Sequence, residues 1–169
     1  MTSTFFNDEL LAEYMPKVRD VTYRTFRPEH LDNFIGLDYY GSKSMSYQDR
    51  KQHINFQSRN GPTVTVFHNR TAIAIFGTFI IWDGVGEAWA VFTEECRRYP
   101  IAMTKGANAY FDIITILYGL HRLQITVKKR DERAVRWARR LGYIEEGLMI
   151  EYSSDKEDTY MMRRSEWVD

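Results

Sequence analysis

The sequence contains little cysteine, and its histidines are scattered. Its one cysteine, Cys96, cannot form a disulfide within the chain, so no disulfide framework is expected. Cys96 lies between acidic residues and arginines, which leaves open a reactive thiol of lowered pKa or an incidental cysteine. Without a neighbouring histidine we favour the incidental cysteine. The histidines show no metal-ligand spacing, so the sequence predicts no metal site: His30, His53, His68 and His121.

Long hydrophobic runs and net charge are also absent. No segment approaches the roughly 20 apolar residues that a transmembrane helix needs. Residues 1–11 lack both the basic and the apolar region of a signal peptide, so we expect an intracellular protein with no membrane span. Lysine plus arginine equals aspartate plus glutamate at 23 each. This balance excludes an overall cationic field and makes nucleic acid an unfavoured partner.

Apolar and aromatic residues, by contrast, are abundant enough for a sizeable core. At 169 residues, with 44% hydrophobic and 15% aromatic residues, the sequence predicts one domain. We assign residues 1–16 to an N-terminal arm and residues 17–169 to that domain. The arm reads as a short helix that ends at Pro16, with an apolar stripe of Phe5, Leu10, Leu11 and Tyr14. Such an arm docks either on its own domain or on a second subunit, which would give a homo-oligomer.

Hydrophobic periodicity predicts helices and strands along the rest of the chain. In chain order these are a strand at 18–26, a helix from Pro28 through Leu37, a helix at 46–58, strands at 63–68, 71–81 and 87–92, a helix from Pro100 to Tyr118, a strand at 122–127, a helix from Asp131 to Leu141, and strands at 144–152 and 159–162. The order indicates an α/β domain that contains a three-stranded antiparallel meander.

Motifs in the second half of the chain narrow this class. A strand at 121–127 precedes the capping residue Asp131, Leu141-Gly142-Tyr143 ends the next helix, and 158–162 is the last strand. Together these resemble the fifth strand, fourth helix, Leu-Gly-aromatic turn and last strand of the GNAT N-acetyltransferase superfamily. The resemblance covers nearly all of residues 18–164. It implies an α+β fold whose mixed, mostly antiparallel sheet has about six to seven strands and helices on both faces.

The resemblance also implies acetyl-CoA as cofactor. In this family the fourth and fifth strands splay apart, and the pyrophosphate binds amides at the N terminus of the next helix. The family signature there is Gln or Arg, two residues, Gly, one residue, then Gly or Ala; here proline replaces the central glycine. Because proline has no amide donor, we expect binding that is weak or lost. The implied cofactor-binding residues are Phe92, Arg97, Arg98, Ile101, Ala102 and Asp131.

Catalytic residues follow from the same resemblance. Glu87, at the start of the fourth strand, is the candidate general base, with an equal alternative as a turn cap or an arginine partner. The family's tyrosine acid falls at Ala138, which has no proton to donate. Tyr143 and Tyr99 are candidate substitutes, although each is more often a packing residue.

Two functions remain open from the sequence. The sequence of residues 86–89 resembles that of small GNAT-type proteins of tailed phages. This resemblance implies a phage acyltransferase that transfers an acetyl group to an unknown amine and whose catalytic signature is degraded at Pro100 and Ala138. The alternative is a non-catalytic protein of the head or ejection apparatus that contacts other virion proteins. These imply the host cytoplasm or the virion as location. We interpret the arginine-rich residues 128–140 as a solvated face in preference to a site for the CoA 3′-phosphate, nucleic acid or an acidic partner.

Overall fold

The computed structural model describes residues 5–32, 34 and 45–165, and these contain four α-helices and seven strands. The helices are α1 (Asp8–Tyr14), α2 (Tyr47–Arg59), α3 (Pro100–Leu117) and α4 (Glu132–Arg140). The strands are β1 (Val21–Thr25), β2 (Thr63–His68), β3 (Thr71–Trp82), β4 (Val85–Phe92), β5 (Arg122–Lys128), β6 (Tyr143–Met149) and β7 (Thr159–Arg164).

All seven strands belong to one sheet, in the order β1-β2-β3-β4-β5-β7-β6. The β4–β5 pair is parallel, and the other described pairs are antiparallel. One face packs on α2, where Ile54 joins Ile75 and Val91 in an apolar cluster. The other face carries α1, α3 and α4 over a larger cluster that includes Phe76 and Tyr110. The predicted fold class is therefore confirmed.

The connection between α2 and β2 lies directly against the backbone of β3. Gly61 is buried there, and a Cβ atom added to it would lie 1.7 Å from the Thr78 carbonyl oxygen. The Thr78 N–H donates to the Pro62 carbonyl oxygen over 3.1 Å, and the buried Tyr110 hydroxyl donates to the same oxygen over 2.8 Å. This junction therefore has no room for a side chain at residue 61.

The N-terminal arm docks on its own domain. Leu11 and Met15 are buried in the larger core cluster. At the outer edge of the sheet, an Asp8 carboxylate oxygen accepts hydrogen bonds from the Thr25 N–H (2.7 Å) and the Thr25 hydroxyl (2.9 Å). Tyr14, predicted to share the apolar stripe, is exposed, as is Phe5. Of the two docking modes that the sequence left open, the structure has the intramolecular one.

Three predicted elements differ from the structure, and the first is the strand predicted at 18–26, which begins only at Val21 because the preceding Asp20 has a φ of 62°. Pro28 begins a short 3₁₀ turn, Pro28–Leu31, because the Asp32 N–H bonds to the Glu29 carbonyl oxygen three residues back. Of the predicted continuation through Leu37, Phe34 is described and is not helical, and residues 33 and 35–37 lie outside the described residues. The penultimate strand ends at Met149 instead of residue 152, because the chain turns at Glu151 with a φ of 51°.

Candidate functional site

A cleft opens in the middle of the sheet where β4 and β5 part. The two strands pair only through Val85 with Arg122, Gly86 with Leu123 and Glu87 with Gln124. Beyond that point β4 stays paired with β3, and β5 stays paired with β7. A V-shaped opening of about 650 Å³ results, which confirms the predicted splaying.

The cleft has two chemically different sides, because successive residues of a strand point to opposite faces. Towards α3 and α4, small and aromatic side chains line it: Ala88, Ala90, Phe92, Ala134, Trp137, Ala138 and Tyr143. Towards α2 and the β6–β7 loop the lining is more polar: His53, Gln57, Glu87, Trp89, Thr126, Ser153 and Asp155. The opening therefore connects an apolar side with a polar side through the sheet.

The apolar wall is held by contacts between α4, α3 and β4. The Trp137 indole packs edge-on against Phe92, with ring centroids 5.4 Å apart. Its Nε1–H donates to the Thr104 hydroxyl on α3 over 3.1 Å, which fixes the ring plane. Ala138, at the position where the resemblance implies a tyrosine, is buried beside Trp137 in this wall.

The predicted phosphate-binding residues lie at the start of α3. Arg97 and Arg98 end a 3₁₀ turn, Glu94–Arg98, and both are exposed; Arg98 lies 3.6 Å from Glu95. Pro100 is the first residue of α3, and the helix start leaves the amides of Ile101 and Ala102 without intrahelical acceptors. The two arginines therefore lie next to the free amides at the start of α3. Because Pro100 has no N–H, this helix start has one amide donor fewer than the family signature provides.

The other predicted cofactor-binding residues line the cleft itself. Phe92 lies in its apolar wall, and Asp131 lies at its edge. Asp131 is also the N-cap of α4, because its carboxylate accepts a hydrogen bond from the Ala134 N–H over 3.0 Å. The structure thus places Phe92 and Asp131 in the cleft, whereas Arg97, Arg98, Ile101 and Ala102 are not among its lining residues.

Glu87 lies at the vertex of the cleft, in the last paired position of β4. It is half-buried, and its Oε1 accepts a hydrogen bond from Gln124 Nε2 over 3.0 Å. Among the described residues Glu87 caps no turn and pairs with no arginine, so its carboxylate faces the cleft with Gln124 as its contact. This is the position in which a proton acceptor would meet both sides of the opening.

Comparison with solved structures shows the same fold in other proteins. The ribosomal L7/L12 α-N-protein acetyltransferase RimL matches with a TM-score of 0.71 and 15% identity, over 90% of this chain and 93% of that one. A chimera of the spermidine N-acetyltransferase SpeG from Vibrio cholerae and hSSAT matches with a TM-score of 0.68 and 18% identity, over 86% and 95%. A GNAT-family acetyltransferase from Bacillus anthracis matches with a TM-score of 0.66 and 15% identity, over 87% of this chain and 95% of that one.

This chain has the GNAT acetyltransferase fold. At these identities the likeness concerns the fold and not the substrate. No protein-family model matches the sequence, and no curated protein matches it. No helix among the described residues of this GNAT-fold chain is long and apolar enough to cross a membrane.

Cys96 is buried in the core of the domain, next to the arginines that precede α3. Burial raises the pKa of its thiol, although Arg97 and Arg133 act in the opposite direction. A raised pKa leaves little thiolate at neutral pH. The structure therefore favours the incidental cysteine over the reactive thiol.

Tyr143 lines the cleft, and its hydroxyl oxygen is shielded from solvent. The residue is 2% exposed, and its ring packs edge-on against Phe111 at 5.5 Å. Burial raises the pKa of Tyr143, while Arg164 acts in the opposite direction. The hydroxyl has no hydrogen-bond partner among the described residues. Tyr99, the other candidate acid, stacks on His68 at 4.3 Å and does not line the cleft.

We predict that Tyr143→Phe stabilises the protein, whereas Tyr110→Phe destabilises it. A buried hydroxyl without a partner costs roughly 1–3 kcal/mol, so its removal should raise the free energy of unfolding by about 1 kcal/mol. The matched Tyr110 hydroxyl bonds to Pro62 and Thr78, each over 2.8 Å. Loss of the Tyr110 hydroxyl should lower the free energy of unfolding by about 1–3 kcal/mol. Urea denaturation of both variants measures this, and equal losses would contradict the prediction.

Sequence reasoning missed Gln124 as a site residue. Its place opposite Glu87 depends on the parallel register of β4 and β5, which no local pattern reveals. A weak signal was present, since Arg122, Gln124 and Thr126 alternate with the apolar Leu123 and Ile125. That alternation indicates a strand with one polar face.

Proposed function

We propose that this GNAT-fold chain is an acyl-CoA-dependent N-acyltransferase that transfers an acetyl group to a primary amine. The observation that carries the proposal is the cleft between β4 and β5 with Glu87 at its vertex. Its apolar side suits the pantetheine arm of acetyl-CoA, and its polar side suits an amine. The chain would act in the cytoplasm of a phage host.

Several groups fit acetyl-CoA. Alternate backbone N–H and C=O groups of β4 between Ala88 and Phe92 point away from β3, towards the opening. The amides at the start of α3 and the guanidinium groups of Arg97 and Arg98 suit phosphate oxygens. The phosphate cradle has fewer donors than the family signature provides, because Pro100 has no N–H.

Glu87 has the central role in the proposed chemistry. When bound, acetyl-CoA supplies an activated acyl carbon, to which the amine nitrogen bonds as the carbon–sulfur bond breaks. Glu87 accepts the proton that the amine loses, either directly or through water. The backbone N–H groups of β4 stabilise negative charge on the acyl oxygen. Trp137 and Phe92 keep water from the apolar side.

Tyr143 is the proposed proton donor to the leaving thiolate, since Ala138 cannot serve. Its ring lines the cleft and its hydroxyl has no described partner. Burial raises its pKa, so it holds its proton tightly and is a weaker acid than an exposed tyrosine. We therefore propose a slow enzyme whose catalytic signature is degraded.

The direct test is calorimetric titration with acetyl-CoA, followed by measurement of thiol release in the presence of amines. Spermidine and a peptide with a free N terminus are suitable probes. We expect saturable binding with a Kd below roughly millimolar and amine-dependent release of CoA thiol. Absence of both would refute the proposal.

We predict that Pro100→Gly tightens acetyl-CoA binding. Glycine restores one amide donor, and a hydrogen bond to a charged group is worth about 1.5–3 kcal/mol, so Kd should fall about tenfold. The matched control is Pro28→Gly, because Pro28 also occupies a first helical position but lies in another element. An unchanged Kd in Pro100→Gly would mean that no phosphate meets this amide.

A second candidate function is favoured by the residues at two signature positions. Pro100 weakens the phosphate cradle, and Ala138 replaces the acid; both changes suit a fold retained for protein contacts. We propose as this alternative a non-catalytic virion-associated protein of a phage. No heat with acetyl-CoA, together with co-purification in virion particles, would support it over the enzyme.

A further inference from the structure

A chain of side-chain hydrogen bonds leads from Glu87 across the sheet to β6. Gln124 Nε2 donates to Glu87 Oε1 over 3.0 Å, and Gln124 Oε1 accepts from Arg122 Nε over 2.8 Å. Arg122 Nη1 in turn donates to Glu146 Oε2 over 3.1 Å, and Arg122 Nη2 contacts Glu146 Oε1. Side chains from β4, β5 and β6 are thereby connected in one line.

The chemistry of arginine gives this line a direction. A guanidinium group only donates hydrogen bonds, so the end of Gln124 that faces Arg122 must be its carbonyl oxygen. The amide NH₂ group then has to face Glu87. An amide without such a neighbour can turn by about 180° and present its oxygen to the carboxylate, which would repel it. Arg122 therefore fixes Gln124 as a donor to Glu87.

Glu146 holds Arg122 in place. It lies at an irregularity of the β6–β7 pairing, where the register shifts between Glu145 and Gly147. The hydrogen bond from Arg122 holds the pKa of Glu146 below its usual range, so Glu146 stays charged at neutral pH. Arg163, on the neighbouring strand, adds a second cation with its Nε 3.5 Å from Glu146 Oε2.

We infer that Gln124 is a positioning residue for Glu87, and that Arg122 and Glu146 orient it. This inference rests on the proposed function, because it assumes that Glu87 accepts the proton of the amine. With Oε1 occupied by Gln124, the second carboxylate oxygen of Glu87 is the one left for the amine or its water. The line thus selects which oxygen acts and holds it in one orientation.

The inference is tested by steady-state kinetics of acetyl transfer to spermidine and to a peptide N terminus. Gln124→Leu should lower kcat about tenfold to a hundredfold, since small errors in position have effects of this size. The KM for acetyl-CoA should stay within about twofold, because Gln124 lies on the amine side. Gln124→Glu should be equally impaired, because a second carboxylate cannot donate to Glu87.

Glu145 provides a matched control for Glu146. It is the adjacent residue on β6, and it also pairs with an arginine, Arg139 of α4, on the other face of the sheet. Glu146→Ala should lower kcat at least fivefold, and Glu145→Ala should leave it unchanged, with similar effects of both on the unfolding temperature. Equal losses of kcat would show a general structural role and overturn the inference.

The outcomes separate this inference from the proposed function. If the unmodified chain turns over and Glu87→Gln is inactive, while Gln124→Leu and Glu146→Ala match the unmodified chain, the inference fails and the proposed function stands. If the unmodified chain transfers no acetyl group to either probe, the proposed function fails, and the inference fails with it.

Discussion

Glu87→Gln lowers the kcat of acetyl transfer by about 10²–10⁴, the usual contribution of a general base. Glutamine keeps the shape of the side chain and can still contact Gln124, but it cannot accept the proton of the amine. Calorimetry of the variant should give an unchanged Kd for acetyl-CoA. The loss would then be confined to the chemical step, which stopped-flow measurement of thiol release resolves.

The control for this variant is Asp83→Asn. Asp83 lies in the tight turn between β3 and β4, where it is exposed and outside the cleft. The substitution therefore removes one carboxylate from the same hairpin without changing the cleft. Its kcat should equal that of the unmodified chain. If Glu87→Gln retains full activity, another group must accept the proton, and the role assigned to the cleft vertex is wrong.

Gly61→Ala should lower the free energy of unfolding by at least about 3 kcal/mol. The added Cβ atom would lie 1.7 Å from the Thr78 carbonyl oxygen and 2.8 Å from its carbon, so the backbone of β3 or the α2–β2 connection must move. Such a shift also strains the Thr78 to Pro62 hydrogen bond and the bond from Tyr110. At about 2–4 °C per kcal/mol, Tm should fall by about 10 °C.

Gly147→Ala is the matched substitution. Gly147 is exposed on β6, and a Cβ atom added there would meet nothing within 4 Å. Its free energy of unfolding should therefore change by less than about 0.5 kcal/mol. Calorimetric scans of the two variants measure the difference, and similar Tm values would contradict the steric account of Gly61.

The strands of the meander were predictable because local pattern determines them. Residues 63–68 are rich in β-branched and aromatic side chains and precede a tight turn, and β2 spans those residues. The splaying of β4 and β5 followed only from the family resemblance, because no residue near Glu87 encodes it locally. The helix predicted from Pro28 begins as a 3₁₀ turn, because hydrophobic spacing does not distinguish an α-helix from a single 3₁₀ turn.

The site was less predictable than the fold. Glu87 and Phe92 were implied by the family resemblance, and both line the cleft. The burial of the Tyr143 hydroxyl could not be foreseen, because it depends on how Phe111 of α3 packs against β6. Gln124 was missed because its partner lies on a strand that is distant in sequence, so long-range register sets its role.

The docked arm makes the two outer margins of the sheet unequal. At β1 the carboxylate of Asp8 already occupies a backbone donor that faces outward, so an incoming strand from another molecule meets a negative charge there. At the other margin β6 pairs only with β7 among the described strands, and its Ile144 and Leu148 are exposed. An incoming strand would therefore meet a negative charge at β1 and none from the arm at β6.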